Sequence, residues 1–77
     1  MVIAPRVGSV VHFYRPPMFD GHAGGPYAAI VTHIIDGQAL DLTVLAPFAP
    51  PYNEGSVVYK DDAGAGARRY WIWPGQE

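Results

Sequence analysis

Between its prolines and glycines the chain alternates apolar and polar residues with a period of two, the repeat of a strand that turns one face to a core. Five short runs rich in Val, Ile, Thr and aromatic residues carry this pattern. In the first, Val7 to Arg15, the residues Val7, Ser9, Val11 and Phe13 share one face, and Val10, His12 and Tyr14 share the other. In the second, Tyr27 to Ile35, Ala29, Val31, His33 and Ile35 alternate with Ala28, Ile30, Thr32 and Ile34, so both faces are largely apolar. Asp36-Gly37 then predicts a tight hairpin, because glycine takes positive φ at little cost. The third run, Ala39 to Leu45, sends Leu40, Leu42 and Val44 one way and Asp41, Thr43 and Leu45 the other. The fourth is Ser56 to Lys60 and the last Arg68 to Trp73, stopped by Pro74.

The intervals between runs read as loops. Pro16 to Pro26 is long and glycine-bearing, Ala46 to Gly55 is proline-rich and carries Phe48 and Tyr52, and Asp61 to Gly66 is a polar turn. Eight prolines and nine glycines leave no stretch for a sustained helical repeat. Five short strands with a long first loop and a tight central hairpin predict one all-β domain, a small five-stranded SH3-like barrel, with an OB-type barrel or open sandwich as the alternative fold.

Length and composition narrow this picture. A chain of 77 residues allows one domain, and a domain of that size buries only about 60% of its unfolded surface. It contains no cysteine, so no disulfide supplements the core. Hydrophobic residues make up 49% of the chain and charged residues 16%. So little charge on a small surface favours a homo-oligomer or another apolar contact. The formal net charge of -2 argues against nucleic acid as a partner held by bulk attraction. No apolar run reaches the ~20 residues of a membrane helix, and the opening residues do not read as a signal peptide.

The motifs Gly8-Ser9-Val10-Val11-His12-Phe13-Tyr14, Ala28-Ala29-Ile30-Val31-Thr32, Leu42-Thr43-Val44-Leu45-Ala46-Pro47 and Trp71-Ile72-Trp73-Pro74 follow one another along nearly the whole chain. In order and spacing they resemble a family of short proteins encoded by tailed phages and prophages. The resemblance implies a small β-fold and, for a phage-encoded chain, the host-cell cytoplasm as its setting. Arg69-Tyr70 stands where that family often has Gly-Thr, and Ile72 where it often has His.

Candidate chemistry gathers at the two terminal runs. Trp71 and Trp73 share a strand face, as a stacking platform for a flat ligand or as core. Arg6, Arg15, Arg68 and Arg69 suit phosphate, which arginine holds with two parallel hydrogen bonds, or are solvated charges. If the first and last strands adjoin, these arginines converge. His12 and Tyr14 lie beside them, and Tyr27 ends a glycine-rich segment from Asp20 that reads as a flap or a plain connection. The expected ligand-binding set is therefore His12, Tyr14, Arg15, Tyr27, Arg68, Arg69, Trp71 and Trp73.

No cofactor is expected. His12, His22, His33 and Asp20 fit no metal-ligand spacing, and no nucleophile, base and orienting group can be assembled, so the chain reads as non-enzymatic. Three functions remain. The first is capture of a small anionic, nucleotide-like ligand, such as a host defence signal held by a phage sponge in a pocket between subunits. The second is a virion or assembly component, and the third an SH3-like module for nucleic acid or protein.

Overall fold

The computed structural model describes residues 4–16, 24–36, 39–47 and 49–76. Their order is β1 (Val10–Tyr14), β2 (Tyr27–Asp36), β3 (Ala39–Leu45), β4 (Tyr52–Val57), a four-residue helix α1 (Lys60–Ala63) and β5 (Tyr70–Ile72). All neighbouring strands run antiparallel in one sheet, ordered β4-β3-β2-β1-β5. The sheet curls into a half-barrel around Val11, Phe13, Ala29, Val31, Leu40, Leu42, Val44, Val57 and Trp71, all essentially buried. None of the helices among the described residues is long and apolar enough to cross a membrane.

The expected alternation holds through β3, where Leu40, Leu42 and Val44 are buried, and through the first half of β2. It breaks at Thr32. Val31 pairs with Leu42 and His33 with Asp41, leaving Thr32 as the extra residue of a bulge, its hydroxyl donating to the Asp41 carbonyl at 3.2 Å. A bulge shifts the period by one. Ile34 consequently packs against the core, while His33 and Ile35, which share the face of Ala29 and Val31 in an unbroken alternation, face solvent.

A second irregularity relocates β4. The strand begins at Tyr52 and ends at Val57, rather than running from Ser56 to Lys60. Gly55 and Ser56 are not the loop end that glycine suggests; they form a bulge between the Leu42–Glu54 and Leu40–Val57 pairs. Ser56 sits at φ 54, a left-handed conformation, and its N–H donates to Asp41 Oδ1 at 3.1 Å. That bond supports a backbone a serine seldom adopts. The two bulges add twist, and twist rolls the sheet.

Three other expectations change. The last strand, expected from Arg68 to Trp73, spans only Tyr70–Ile72, so Arg68, Arg69 and Trp73 lie outside it. Val7 and Gly8 form a turn rather than the start of β1, and Val7 is exposed. The polar stretch from Asp61 begins inside α1. Gly37 of the β2–β3 turn, Phe48, and residues 17–23 of the long loop lie outside the described residues.

The half-barrel closes along one seam. The Trp71 N–H donates to the Val58 carbonyl at 3.0 Å, and Tyr59 bridges to Trp71, so the chain leaving β4 touches β5. Arg69 fastens this seam. Its Nε and Nη2 donate to Glu54 Oε1 at 3.2 and 2.9 Å, its Nη1 to the Ser56 carbonyl at 3.3 Å, and its Nη2 also to the Gly55 carbonyl. The pair is partly exposed, and an isolated pair of that kind contributes only about 0–1 kcal/mol; the added carbonyl bonds raise it to the upper part of that range. In a double-mutant cycle by urea unfolding, Arg69→Met and Glu54→Gln should couple by about 0.5–1 kcal/mol. Zero coupling would reduce the pair to a surface contact.

On the convex face, Val10, Ile30 and Leu45 stay exposed at 53%, 36% and 41%. Val10 sits opposite Ile30, and Ala28 opposite Leu45, so these residues form one apolar strip across β1, β2 and β3.

Candidate functional site

The pairing of β1 with β5 sets Tyr14 opposite Tyr70. Their rings stack at 5.0 Å between centroids with an interplanar angle of 22°. Beside the stack runs a groove of about 400 Å³ lined by Tyr14, Arg15, Gly24, Gly25, Ala67, Arg68 and Tyr70. Arg15 continues the β1 ladder by donating its N–H to the Gly24 carbonyl at 2.7 Å, which holds the glycine pair against the end of β1. A second hollow of about 330 Å³ shares Ala67 and Tyr70 and adds Lys60, Asp61, Gly64, Ala65 and Gly66. The Lys60 ammonium lies 5.8 Å from the Tyr70 ring centroid, within cation–π range.

Of the residues expected to bind a ligand, Tyr14, Arg15 and Arg68 meet in this groove. Tyr27 is buried beneath Arg15, whose guanidinium lies 5.4 Å from the Tyr27 ring and 5.7 Å from that of Tyr52. It therefore orients Arg15 rather than lining the groove. Arg68, one residue before the seam arginine, makes no ion pair with any described residue.

The others lie elsewhere. Arg69 belongs to the seam and Arg6 to the opposite end of β1, so the four arginines do not form one cluster. His12 is half-buried on the convex face between Ala28 and Ile72. Trp71 is 0% exposed, packed 4.8 Å from Tyr59 and edge-on to Trp73 at 5.5 Å. This corrects the platform reading for Trp71: the tryptophan face is the core face, and Trp73 packs half-buried against it. The aromatic surface is the opposite face of the strand, at Tyr70.

Tyr70 and Lys60 are the residues the sequence reading missed. Once one of the paired Trp residues is assigned to the core, alternation sends Tyr70 outward and across from Tyr14, so a signal for it was present. Lys60 carried none, because α1 and not a strand places it. Among the described residues no three His, Cys, Asp or Glu side chains converge as metal ligands. His22 and Asp20 of the metal idea lie outside those residues.

Tyr52 supplies the mouth of the concave face with a titratable group. Its hydroxyl is buried with no hydrogen-bond partner among the described residues. Burial raises its pKa above the ordinary 10.0; the Arg15 charge pulls it back in part, while Glu54 and Tyr27 push it further up. The folded protein thus keeps this proton to a higher pH than the unfolded chain does. Its contribution is constant below about pH 10 and is lost as pH rises through the raised value. Tyr52→Phe should flatten this alkaline loss and leave stability at pH 7 unchanged or higher by up to about 1 kcal/mol, since an unsatisfied hydroxyl is removed. Thermal melts from pH 7 to 11 would check it; a loss above about 2 kcal/mol at pH 7 would reveal a hydrogen bond from Tyr52.

Fold and groove together define a small all-β domain with a tyrosine stack flanked by basic side chains. No family model, curated protein or solved structure matches the chain.

Proposed function

We propose that this chain is an SH3-like, non-enzymatic binding domain that captures a small anionic, nucleotide-like ligand. The observation that carries this reading is the Tyr14–Tyr70 stack with Lys60 on one side and Arg68 on the other. Aromatic rings accept the face of a base, and arginines hold phosphate. The strand order and the short helix between β4 and β5 support the SH3-like assignment. The phage setting, the host cytoplasm and a role as a sponge for a defence signal rest on the motif resemblance, and a homo-oligomer rests on the small core.

Calorimetry against a panel of cyclic nucleotides tests the reading, with Tyr70→Ala as control. Submillimolar binding that the substitution abolishes supports it. Binding no tighter than millimolar across the panel, at low salt, removes it.

The exposed strip of Val10, Ile30 and Leu45 favours a second reading, a virion or assembly component, or an SH3-like module that docks another macromolecule. Such a protein co-purifies with particles or with a partner, and substituting Ile30 by a charged residue releases it.

A further inference from the structure

The two hollows that meet at Tyr70 differ in charge. The Tyr14 lobe presents the exposed cation Arg68 and is lined by no acid, the Arg15 guanidinium lying over Tyr27 and Tyr52, whereas the α1 lobe holds one cation, Lys60, and one anion, Asp61. A ligand with an anionic group at each end would set one of them against Asp61. A ligand with one phosphate and one neutral, hydrogen-bonding ring meets no such repulsion. Each lobe alone is at the lower end of the ~300–1,000 Å³ of ligand pockets, so one nucleotide occupying both is a better fit than one confined to either.

Resting on the nucleotide reading above, we infer that the groove has a direction: it takes a mononucleotide with its phosphate at Arg68, its ring against Tyr70 and the ring's polar edge at Lys60 and Asp61. Lys60 is exposed and its stem flexible, so an incoming ring can take the ammonium's place on Tyr70 while the ammonium moves to a ring oxygen. The carboxylate of Asp61 only accepts and the ammonium of Lys60 only donates. Guanine offers an adjacent pair of N–H donors beside a carbonyl, which matches both. Adenine offers a single amino group beside a ring nitrogen and satisfies the carboxylate less fully.

The test uses the whole chain and calorimetry with 3′,5′-cyclic GMP, 3′,5′-cyclic AMP, the nucleosides guanosine and adenosine, and cyclic di-AMP. Lys60, Asp61 and Arg68 are all exposed, so their variants should fold. Cyclic GMP is expected to bind about tenfold more tightly than cyclic AMP, the ratio set by one good hydrogen-bond pair. Asp61→Asn should bring that ratio near one. Arg68→Ala should weaken cyclic GMP about tenfold and leave guanosine unchanged. Binding of cyclic di-AMP in preference to both mononucleotides would overturn the direction while leaving the nucleotide reading intact, as would a base preference that Asp61→Asn does not alter. Binding of none of the panel would remove the nucleotide reading itself.

Discussion

Gly25→Ala should lower the melting temperature by at least about 10 °C, and a dispensable loop glycine should not. Gly25 has φ +134, a conformation L side chains rarely adopt. A Cβ there would stand 2.7 Å from the Phe13 carbonyl oxygen and 3.3 Å from the Tyr14 Cα. Both are backbone atoms of β1 and cannot swing aside. Relief requires the entry to β2 to move off the end of β1, which pulls the Gly24 carbonyl from the Arg15 N–H. Strained backbone costs about 1–3 kcal/mol and overpacking about 1–3 more. A domain of this size has only about 4–12 kcal/mol in total, and each kcal/mol moves its melting point by about 4–8 °C. Gly66→Ala is the comparison. It also has positive φ, at +80, but nothing within 4 Å of the new methyl, so it should lose only about 1–2 kcal/mol. Equal melting points for the two variants would dispose of the steric argument.

Trp71→Ala is expected to leave the chain largely unfolded at 37 °C. Trp71 is the largest fully buried side chain. It pairs across the sheet with Phe13, touches Tyr59 and Trp73, and anchors the seam through its own N–H. Truncating a buried tryptophan costs about 3–5 kcal/mol, on the order of everything a small domain has to lose. Trp71→Phe keeps a ring in the site and should remain folded with a lower midpoint. Trp73→Ala, at the rim of the core, should cost less than Trp71→Ala. Urea titrations followed by circular dichroism rank the three; if Trp73→Ala proved the most damaging, the core would be centred elsewhere.

The strands most legible in the sequence were β2 and β3, because the leucines of β3 alternate without interruption and the Asp36-Gly37 pair predicts a tight connection between the two, whose flanking residues Asp36 and Ala39 are paired. What stayed hidden were places where an extra residue enters a strand. Thr32 has ordinary strand propensity, and nothing in its type says that it is skipped in the pairing. Gly55 has the signature of a loop, yet it serves as a bulge held by a carboxylate distant in sequence. The candidate site was half legible. That the first and last strands adjoin followed from the barrel expectation, and it brought Tyr14, Arg15 and Arg68 together. Which face of the Tyr70 to Trp73 segment is inward did not follow, since both alternating sets are apolar or aromatic. Nor did the division between Arg68 and Arg69: both lie in the chain just before β5, and only the position of Glu54 across the seam decides which arginine is committed to structure.

The pairing of β1 with β5 has a kinetic corollary. The β2–β3 and β3–β4 contacts join neighbours in the chain and need only short loops to close. Phe13 and Trp71 are brought together from almost opposite ends of the described chain, at a far larger entropic cost before any contact offsets it. The groove is made by that last-closing pair, so it appears late in folding. Substitutions at Tyr14, Arg68 or Tyr70 should therefore act chiefly on the rate of unfolding and hardly on the rate of folding, which leaves this surface open to change without endangering the chain's route to its folded state.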